Sequence, residues 1–185
     1  MYKLCKTDQS AQRQRQLEEG LLSLMLRQRY EDISVSELCA ELEVPRKAFY
    51  RYFSSKEGCL QALLDHRIMG YQERAGNENN IMLNGFTLDL AWFYRYWQSQ
   101  QDLLTALSRN GLGGILVERT LYHSQEAQVF AVGLHDPQYV RHITSFLVCG
   151  LMSLVLRWFA DGYRETPEEM AQMTREMILH PLIPQ

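Results

Sequence analysis

The chain has 185 residues, of which 46% are hydrophobic and 22% charged, so its composition is that of an ordinary globular protein and excludes a disordered or collagenous one. Its 19 basic and 22 acidic residues give a formal net charge of −3, so the molecule as a whole does not attract a polyanion. Every lysine, however, lies before residue 57. Contact with an anionic partner is therefore predicted in the N-terminal third.

The cysteines and the apolar runs exclude several other classes of protein. Cys5, Cys39, Cys59 and Cys149 have neither zinc-ligand nor disulfide-framework spacing. The polar N-terminal segment lacks the apolar stretch of a signal peptide, so the reducing cytoplasm is the expected location. The longest dense apolar stretch, residues 146–156, is shorter than the roughly 20 residues that span a bilayer. We therefore predict no metal, no cofactor and no membrane association.

Apolar residues recur at helical spacing along nearly the whole chain, which predicts an all-α fold of about nine helices. Four short helices are expected before the polar break at residues 76–80, with serine capping boxes at Ser34 and Ser54. A fifth helix is expected from Phe86, followed by helices near residues 102–108, 115–132 and 137–160 and after Pro167. Residues 1–56 are predicted to form a three-helix helix-turn-helix module, and residues 57–185 a C-terminal helical bundle.

The segment from Ser34 to Lys56 carries the functional signal, because two short helices joined by a tight turn are the arrangement that reads the DNA major groove. The later of these two helices is the third predicted helix of the chain. At 100° per residue, one arc of it is cationic and aromatic, while the opposite arc is apolar. The cationic arc consists of Arg46, Lys47, Tyr50 and Arg51. Arginine suits a guanine edge, whereas lysine and tyrosine suit phosphates. A solvated face on a small bundle is the alternative interpretation.

Lys56 lies two residues beyond the predicted N-cap Ser54, beside the positive end of a helix dipole, and this location suits a phosphate.

The sequence of residues 30–57 resembles the N-terminal domain of the TetR family of transcriptional regulators, most specifically in Phe-Tyr-Arg-Tyr-Phe at residues 49–53 and Ser-Lys-Glu at residues 55–57. The remaining two thirds are similar to the family only in architecture. The resemblance implies a homodimer that binds a pseudo-palindromic operator in double-stranded DNA, usually as a repressor that a small ligand releases.

The family's DNA-contacting positions carry over, by this resemblance, to Ser34, Ser36, Arg46, Lys47, Tyr50, Arg51 and Lys56. Glu43 departs from the family, which usually has glycine at the end of the second helix. If this residue must be left-handed, glutamate costs on the order of 1 kcal/mol. Arg29 replaces the glycine that is common in the family at the end of the first helix. Lys47 replaces a small residue that lets the backbone approach DNA. The base contacts of relatives are therefore hard to transfer.

The eighth predicted helix is apolar around more of its circumference than one core can cover, which favours a partner subunit over a central helix in a monomer. The predicted dimerisation residues are Phe146, Gly150, Leu151, Leu154 and Trp158.

Aromatic residues on the fifth and seventh helices favour an apolar pocket for a small, mostly apolar effector, with Phe93, Trp97 and Tyr122 as its candidate residues. A core stripe explains Phe93 and Trp97 equally well. An enzyme is not expected, since no nucleophile elbow, zinc-protease motif or phosphate loop occurs and no catalytic residues are assigned. A helix-turn-helix regulator whose C-terminal domain binds a protein partner, with no small effector, is the alternative.

Overall fold

A computed structural model describes residues 7–74, 80–83, 86–127 and 136–179, together with Tyr2 and Cys5. Within these residues the chain forms nine α-helices, a short 3-10 turn at Tyr30–Asp32 and one β-hairpin. The helices are α1 (Asp8–Arg27), α2 (Val35–Glu41), α3 (Arg46–Tyr52), α4 (Lys56–Arg74), α5 (Leu90–Ser99), α6 (Gln101–Arg109), α7 (Gly113–Glu126), α8 (Pro137–Ala160) and α9 (Pro167–Leu179). Strands β1 (Asn80–Leu83) and β2 (Phe86–Asp89) pair antiparallel. The predicted all-α class is confirmed, with the hairpin as an addition.

The hairpin shows that the predicted start of the fifth helix was wrong. Phe86 lies in β2, and α5 begins at Leu90. The Asp89 carboxylate accepts a hydrogen bond from the Trp92 backbone N–H at 2.8 Å and so caps the helix. The apolar spacing that starts at Phe86 runs on past this N-cap, which is why periodicity alone extended the helix by a turn. Residue 132, the predicted end of the seventh helix, lies outside the described residues.

The chain divides into two compact units, and neither is continuous in sequence. The first unit comprises Met1–Ile68 and Asp102–Leu116, and the second comprises Met69–Gln101 and Val117–Gln185. Helix α6 and the first turn of α7 therefore belong with the N-terminal helices. The domain boundary predicted at residue 56 remains a prediction, since the compact units follow spatial packing whereas the boundary followed the motif.

The first unit has a core of leucine and aromatic side chains from α1 to α4, in which Leu21, Phe49 and Phe53 are almost completely buried. Gly20 lets α1 approach the end of α2 closely, because a Cβ atom at this position would lie 2.6 Å from Cδ1 of Leu42. Burial of these apolar side chains against one another supplies the main force that holds the short helices together.

The second unit has an aromatic core in which α5 packs against α9 and α8. The Tyr94 ring lies edge-on to Trp158 at 5.5 Å, and the Tyr94 hydroxyl shares a 2.6 Å hydrogen bond with the Thr174 hydroxyl. Among the described helices, α8 alone is long and apolar enough to cross a membrane. Because Trp158 and other residues of α8 are buried inside the protomer, core packing accounts for part of this apolarity.

Candidate nucleic-acid interface

A tight turn joins α2 to α3 and fixes the angle between them. The Val44 N–H donates to the Cys39 carbonyl at 2.9 Å, and the Glu43 N–H donates to the Ala40 carbonyl at 3.2 Å. These two bonds form a Schellman motif, which requires a left-handed residue just after the helix. Glu43 is that residue, with φ of 52°. The condition under which the sequence analysis assigned a cost to glutamate is therefore met, and Pro45 then precedes α3 without needing an N–H partner.

Helix α3 has two opposite faces, as the helical spacing predicts. Phe49 and Tyr52 are buried in the first unit. The exposed face carries Arg46, Lys47, Tyr50 and Arg51. The Arg46 guanidinium donates a hydrogen bond to the Tyr50 hydroxyl at 3.4 Å and lies 5.8 Å from the centre of the Tyr50 ring. The two side chains therefore contact each other at the surface. Such a face offers several hydrogen-bond donors and three positive charges to an anionic groove.

The two serines predicted at the start of α2 are both exposed. The Ser34 hydroxyl accepts a hydrogen bond from the Glu37 N–H at 3.1 Å, and the Glu37 carboxylate accepts from the Ser34 N–H at 3.4 Å. This capping box is the one predicted at Ser34, whereas the predicted N-cap at Ser54 is off by one residue, since α4 begins at Lys56 and the Ser55 hydroxyl accepts from the Gly58 N–H at 3.3 Å. A hydroxyl that accepts one hydrogen bond keeps its own proton for donation, so Ser34 can cap the helix and contact a phosphate together.

Lys56 points into the protein. Its ammonium group donates to the carbonyls of Tyr30 at 2.5 Å, Ile33 at 2.7 Å and Glu31 at 3.2 Å, and it lies 4.3 Å from the centre of the Tyr30 ring. An ammonium group has three protons, and all three are engaged in this arrangement. The phosphate contact remains a prediction, and of the seven assigned DNA contacts it has the least geometric support. The hydrogen bond from Ser55 lowers the pKa of the adjacent Glu57 carboxyl, which stays ionised beside the Lys56 ammonium group.

A groove of about 1120 Å³ between α1 and α3 extends the cationic surface. Four basic side chains line it and form no ion pair with another described residue, namely Arg13, Arg15, Lys47 and Arg51. Two carboxylates of the groove are already paired, Glu19 with Arg67 and Glu41 with Arg27. The third, Asp8, lies in the first turn of α1, where the helix dipole favours it. The unpaired charge of the groove is therefore mostly positive.

Sequence reasoning missed Arg13 and Arg15, because it confined the DNA-binding face to the helix-turn-helix segment. Both arginines lie in the polar N-terminal half of α1, where a basic pair on a predicted helix was visible in the sequence. Only the tertiary packing of α1 beside α3 brings them next to Lys47 and Arg51.

The three candidate effector residues differ in burial. Phe93 and Trp97 are buried in the aromatic core of the second unit, where the Phe93 ring contacts Tyr71 at 5.7 Å. Tyr122 is 49% exposed on α7, with the Arg119 guanidinium 4.7 Å from its ring centre. The indole N–H of Trp97 is buried without a hydrogen-bond partner among the described residues. A buried unpaired donor of this kind costs about 1–3 kcal/mol.

The predicted dimerisation residues occupy both sides of α8. Leu151 and Trp158 are buried inside the protomer, and the Trp158 indole N–H donates to the Glu165 carbonyl at 3.0 Å. Phe146 is 71% exposed, and Gly150 has open space where a Cβ would stand. Leu154 is partly exposed. The uncovered side of α8 is therefore represented by Phe146 and Gly150, while Leu151 and Trp158 already have partners.

Two family models match the sequence. The model described as "Bacterial regulatory proteins, tetR family" matches residues 20–63, which include α2, α3 and the turn between them. The model described as "Transcriptional regulator C-terminal region" matches residues 121–180, which include α8 and α9. No curated protein matches the sequence significantly.

Solved regulators share the fold at low sequence identity. The fatty acid degradation regulator FadR from Bacillus halodurans is 15% identical with a TM-score of 0.57, and the match covers 98% of this chain and 100% of FadR. The TetR family repressor AlkX from Dietzia sp. is 17% identical with a TM-score of 0.56, covering 89% of this chain and 92% of AlkX. A tetR-family regulator from Streptomyces coelicolor is 18% identical with a TM-score of 0.53, covering 90% and 78%. These solved structures show the fold, and the two family models, which together match more than half of the chain, show that it belongs to the TetR family of transcriptional regulators, which bind DNA.

Proposed function

We propose that this regulator binds a pseudo-palindromic operator as a homodimer, acts there as a repressor, and is released by a small, mostly apolar effector. In this proposal the chain is a transcription factor without enzymatic activity, and its place of action is the cytoplasm. The observation that carries the proposal is the exposed face of α3, on which Arg46, Lys47, Tyr50 and Arg51 stand together while the opposite face is buried.

The cationic groove supports a DNA contact wider than α3 alone. Arg13 and Arg15 add two charges beside Lys47 and Arg51, and phosphates supply most of the affinity of a DNA-binding protein. Arg46 is the side chain assigned to a base edge, since a guanidinium can donate two hydrogen bonds to guanine. Lys47 and the α1 arginines are assigned to the backbone.

The dimer is supported by apolar side chains that the protomer leaves uncovered on α8 and α9. Tyr139 and Phe146 are more than half exposed on α8, and Met177 is 44% exposed on α9. Burying such side chains against the same surface of a second copy removes them from water and gives a closed twofold assembly. Open space at Gly150 allows two α8 helices to approach closely.

The effector is supported by the second unit's aromatic core and by its unpartnered buried donor. Trp97 supplies apolar surface and one N–H without a partner among the described residues. An apolar molecule with a single hydrogen-bond acceptor, such as a carbonyl or ether oxygen, matches both properties. Tyr122, the third residue predicted for this site, is half exposed on α7, and its part in the site stays a prediction.

Selection of duplexes from a random library with the full-length protein tests the DNA-binding proposal. We expect a two-part symmetric sequence whose half-sites lie about one helical turn apart, and an affinity that falls steeply with salt. Arg46→Ala should relax the preference at one base pair by on the order of tenfold, whereas Lys47→Ala should weaken binding to all duplexes alike. Arg164→Ala, at an exposed arginine of the second unit, is the matched control and should change neither. No enriched sequence, or a flat salt response, contradicts the proposal.

The repressor role has its own test. A reporter promoter that contains the selected duplex should lose transcription when the protein is expressed, and Arg46→Ala should restore it. Transcription that rises with the wild-type protein identifies an activator instead and overturns the repressor assignment while leaving DNA binding intact.

A further inference from the structure

The 3-10 turn between α1 and α2 is held from two sides by side chains from distant parts of the first unit. On one side the Lys56 ammonium group, at the start of α4, binds the carbonyls of Tyr30, Glu31 and Ile33. Ile33 immediately precedes Ser34, the N-cap of α2. The clamp therefore joins the start of α4 to the residues that determine where α2 begins.

On the other side is Asn110, which follows α6 and is eighty residues from Tyr30 along the chain. Its side-chain Oδ1 accepts a hydrogen bond from the Tyr30 backbone N–H at 2.6 Å. Its Nδ2 donates to the Ala106 carbonyl at 2.7 Å and to the Met25 carbonyl at 3.3 Å. The neighbouring Arg109 guanidinium donates to the Leu26 carbonyl at 2.5 Å. The end of α6 is thus bound to the last turn of α1 and to the first residue of the 3-10 turn.

Tyr30 is the point at which the two sets of contacts meet. Its N–H is bound to Asn110, and its carbonyl is bound to Lys56. A primary amide suits the Asn110 position because it accepts from one backbone group and donates to others at the same time. Charged or apolar side chains of similar size lack one of these functions.

We propose that Asn110, which lies outside the helix-turn-helix segment, is a positioning residue for the DNA-contacting surface. It fixes Tyr30, and through the Lys56 clamp it fixes the starts of α2 and α4 relative to α3. The inference rests on the proposed function, since it concerns the same DNA-binding face. Hydrogen bonds to the backbone tolerate little displacement, so loss of the amide should let the 3-10 turn and the start of α2 shift away from the geometry that specific binding needs.

Three variants of the full-length protein separate positioning from simple loss of stability. Asn110→Ala removes all three hydrogen bonds. Asn110→Asp keeps an acceptor for the Tyr30 N–H but removes both donors. Arg109→Ala removes one bond between the same two elements without touching Tyr30, and it serves as the matched control.

Two quantities are measured for each variant, at a temperature where it is folded. The first is hydrogen exchange at the Tyr30 amide, and the second is the preference for the duplex selected by the wild-type protein over random duplexes. Asn110→Ala should accelerate Tyr30 exchange and lower the preference by about tenfold or more, which is 1.4 kcal/mol. Asn110→Asp should change both at least as much as Asn110→Ala, because a carboxylate oxygen would face the Ala106 and Met25 carbonyls where the amide donates, and Arg109→Ala should preserve both within about twofold. Accelerated exchange with an unchanged preference overturns the proposal, as does an Asn110→Asp protein that protects Tyr30 but loses the preference.

A measurement on the wild-type protein keeps the proposal testable if Asn110→Ala does not fold. If opening of the Asn110–Tyr30 bond lowers specific affinity, linkage requires that specific DNA close this bond. Exchange at the Tyr30 amide should therefore slow on the selected duplex and not on a random one. Equal exchange on both duplexes overturns the positioning role. Failure of the wild-type protein to select any duplex is a different result, because it contradicts the proposed function itself.

Discussion

The first and second units expose opposite kinds of side chain. In the part of the chain that the structure describes, Tyr50 is the only large apolar side chain exposed in the first unit. The second unit exposes Met69, Tyr122, Tyr139, Phe146, Met173, Met177 and Leu179. The first unit instead presents unpaired arginines and lysine around α3. The contrast indicates that the first unit already presents a cationic surface to a polyanion. The second unit exposes apolar side chains that favour contact with another apolar surface.

The largest expected effect comes from a pair of neighbouring residues in the first unit. It tests whether the buried residue serves stability while the exposed residue serves DNA binding. Phe49 is fully buried, and the adjacent Tyr50 is 48% exposed, with the two rings 5.5 Å apart. Phe49→Ala should lower the free energy of unfolding by about 3–5 kcal/mol, because it leaves a cavity in the core. Tyr50→Ala should lower it by less than about 0.5 kcal/mol and should weaken DNA binding. Urea denaturation at equal protein concentration, with a DNA-binding titration, checks the pair. A Tyr50→Ala protein as unstable as Phe49→Ala contradicts this division.

The second prediction tests whether the exposed apolar side of α8 is an interface. Phe146→Arg and Gly150→Arg should give monomers in sedimentation, because an unpaired charge in a desolvated interface costs about 3–5 kcal/mol. Ser108→Arg introduces the same charge at an exposed position of the first unit and should leave the dimer intact. If both α8 variants sediment as dimers of wild-type strength, the interface lies elsewhere.

A smaller difference in stability is expected between substitutions of the two buried tryptophans of the second unit, Trp97 and Trp158. The Trp158 N–H donates to the Glu165 carbonyl, while the Trp97 N–H has no partner among the described residues. Replacement by phenylalanine removes similar volume at both positions, so the difference between the variants reports the hydrogen bond. Trp158→Phe should be less stable than Trp97→Phe by about 1–2 kcal/mol in urea denaturation. Equal losses would mean that the Trp97 donor already has a partner, and the case for an effector that accepts from it would fail.

The smallest effect concerns the turn before α3. Glu43→Gly should raise the free energy of unfolding by at most about 1 kcal/mol, because glycine adopts positive φ without strain while the unfolded chain gains some entropy. Ala40→Gly, at an exposed position inside α2, should instead lower it by about 1 kcal/mol. Thermal or urea denaturation distinguishes the two signs. A destabilised Glu43→Gly protein would indicate that the glutamate side chain contributes more than its backbone strain costs.

Local patterns predicted the helix-turn-helix well because the physical causes are local. The capping box at Ser34, the left-handed position at Glu43 and the two faces of α3 each depend on residues within one or two turns of helix. The start of α5 was wrong because a capping aspartate interrupts an apolar spacing that continues on both sides of it. Phe146 and Trp158 share an apolar helix, yet one is exposed and the other buried. Periodicity indicates which residues share a side of a helix, but not whether another helix covers that side.

The sequence by itself determined the fold class, the family resemblance and the cationic arc of α3, since these follow from helical spacing and from residue types that lie close together in the chain. Only the tertiary structure decided that Lys56 binds backbone carbonyls and that Asn110 binds Tyr30, eighty residues away. It also placed the α1 arginines beside Lys47 and Arg51. The physical reason is that a hydrogen bond or a shared groove depends on which distant segments pack together, and no local pattern encodes that choice.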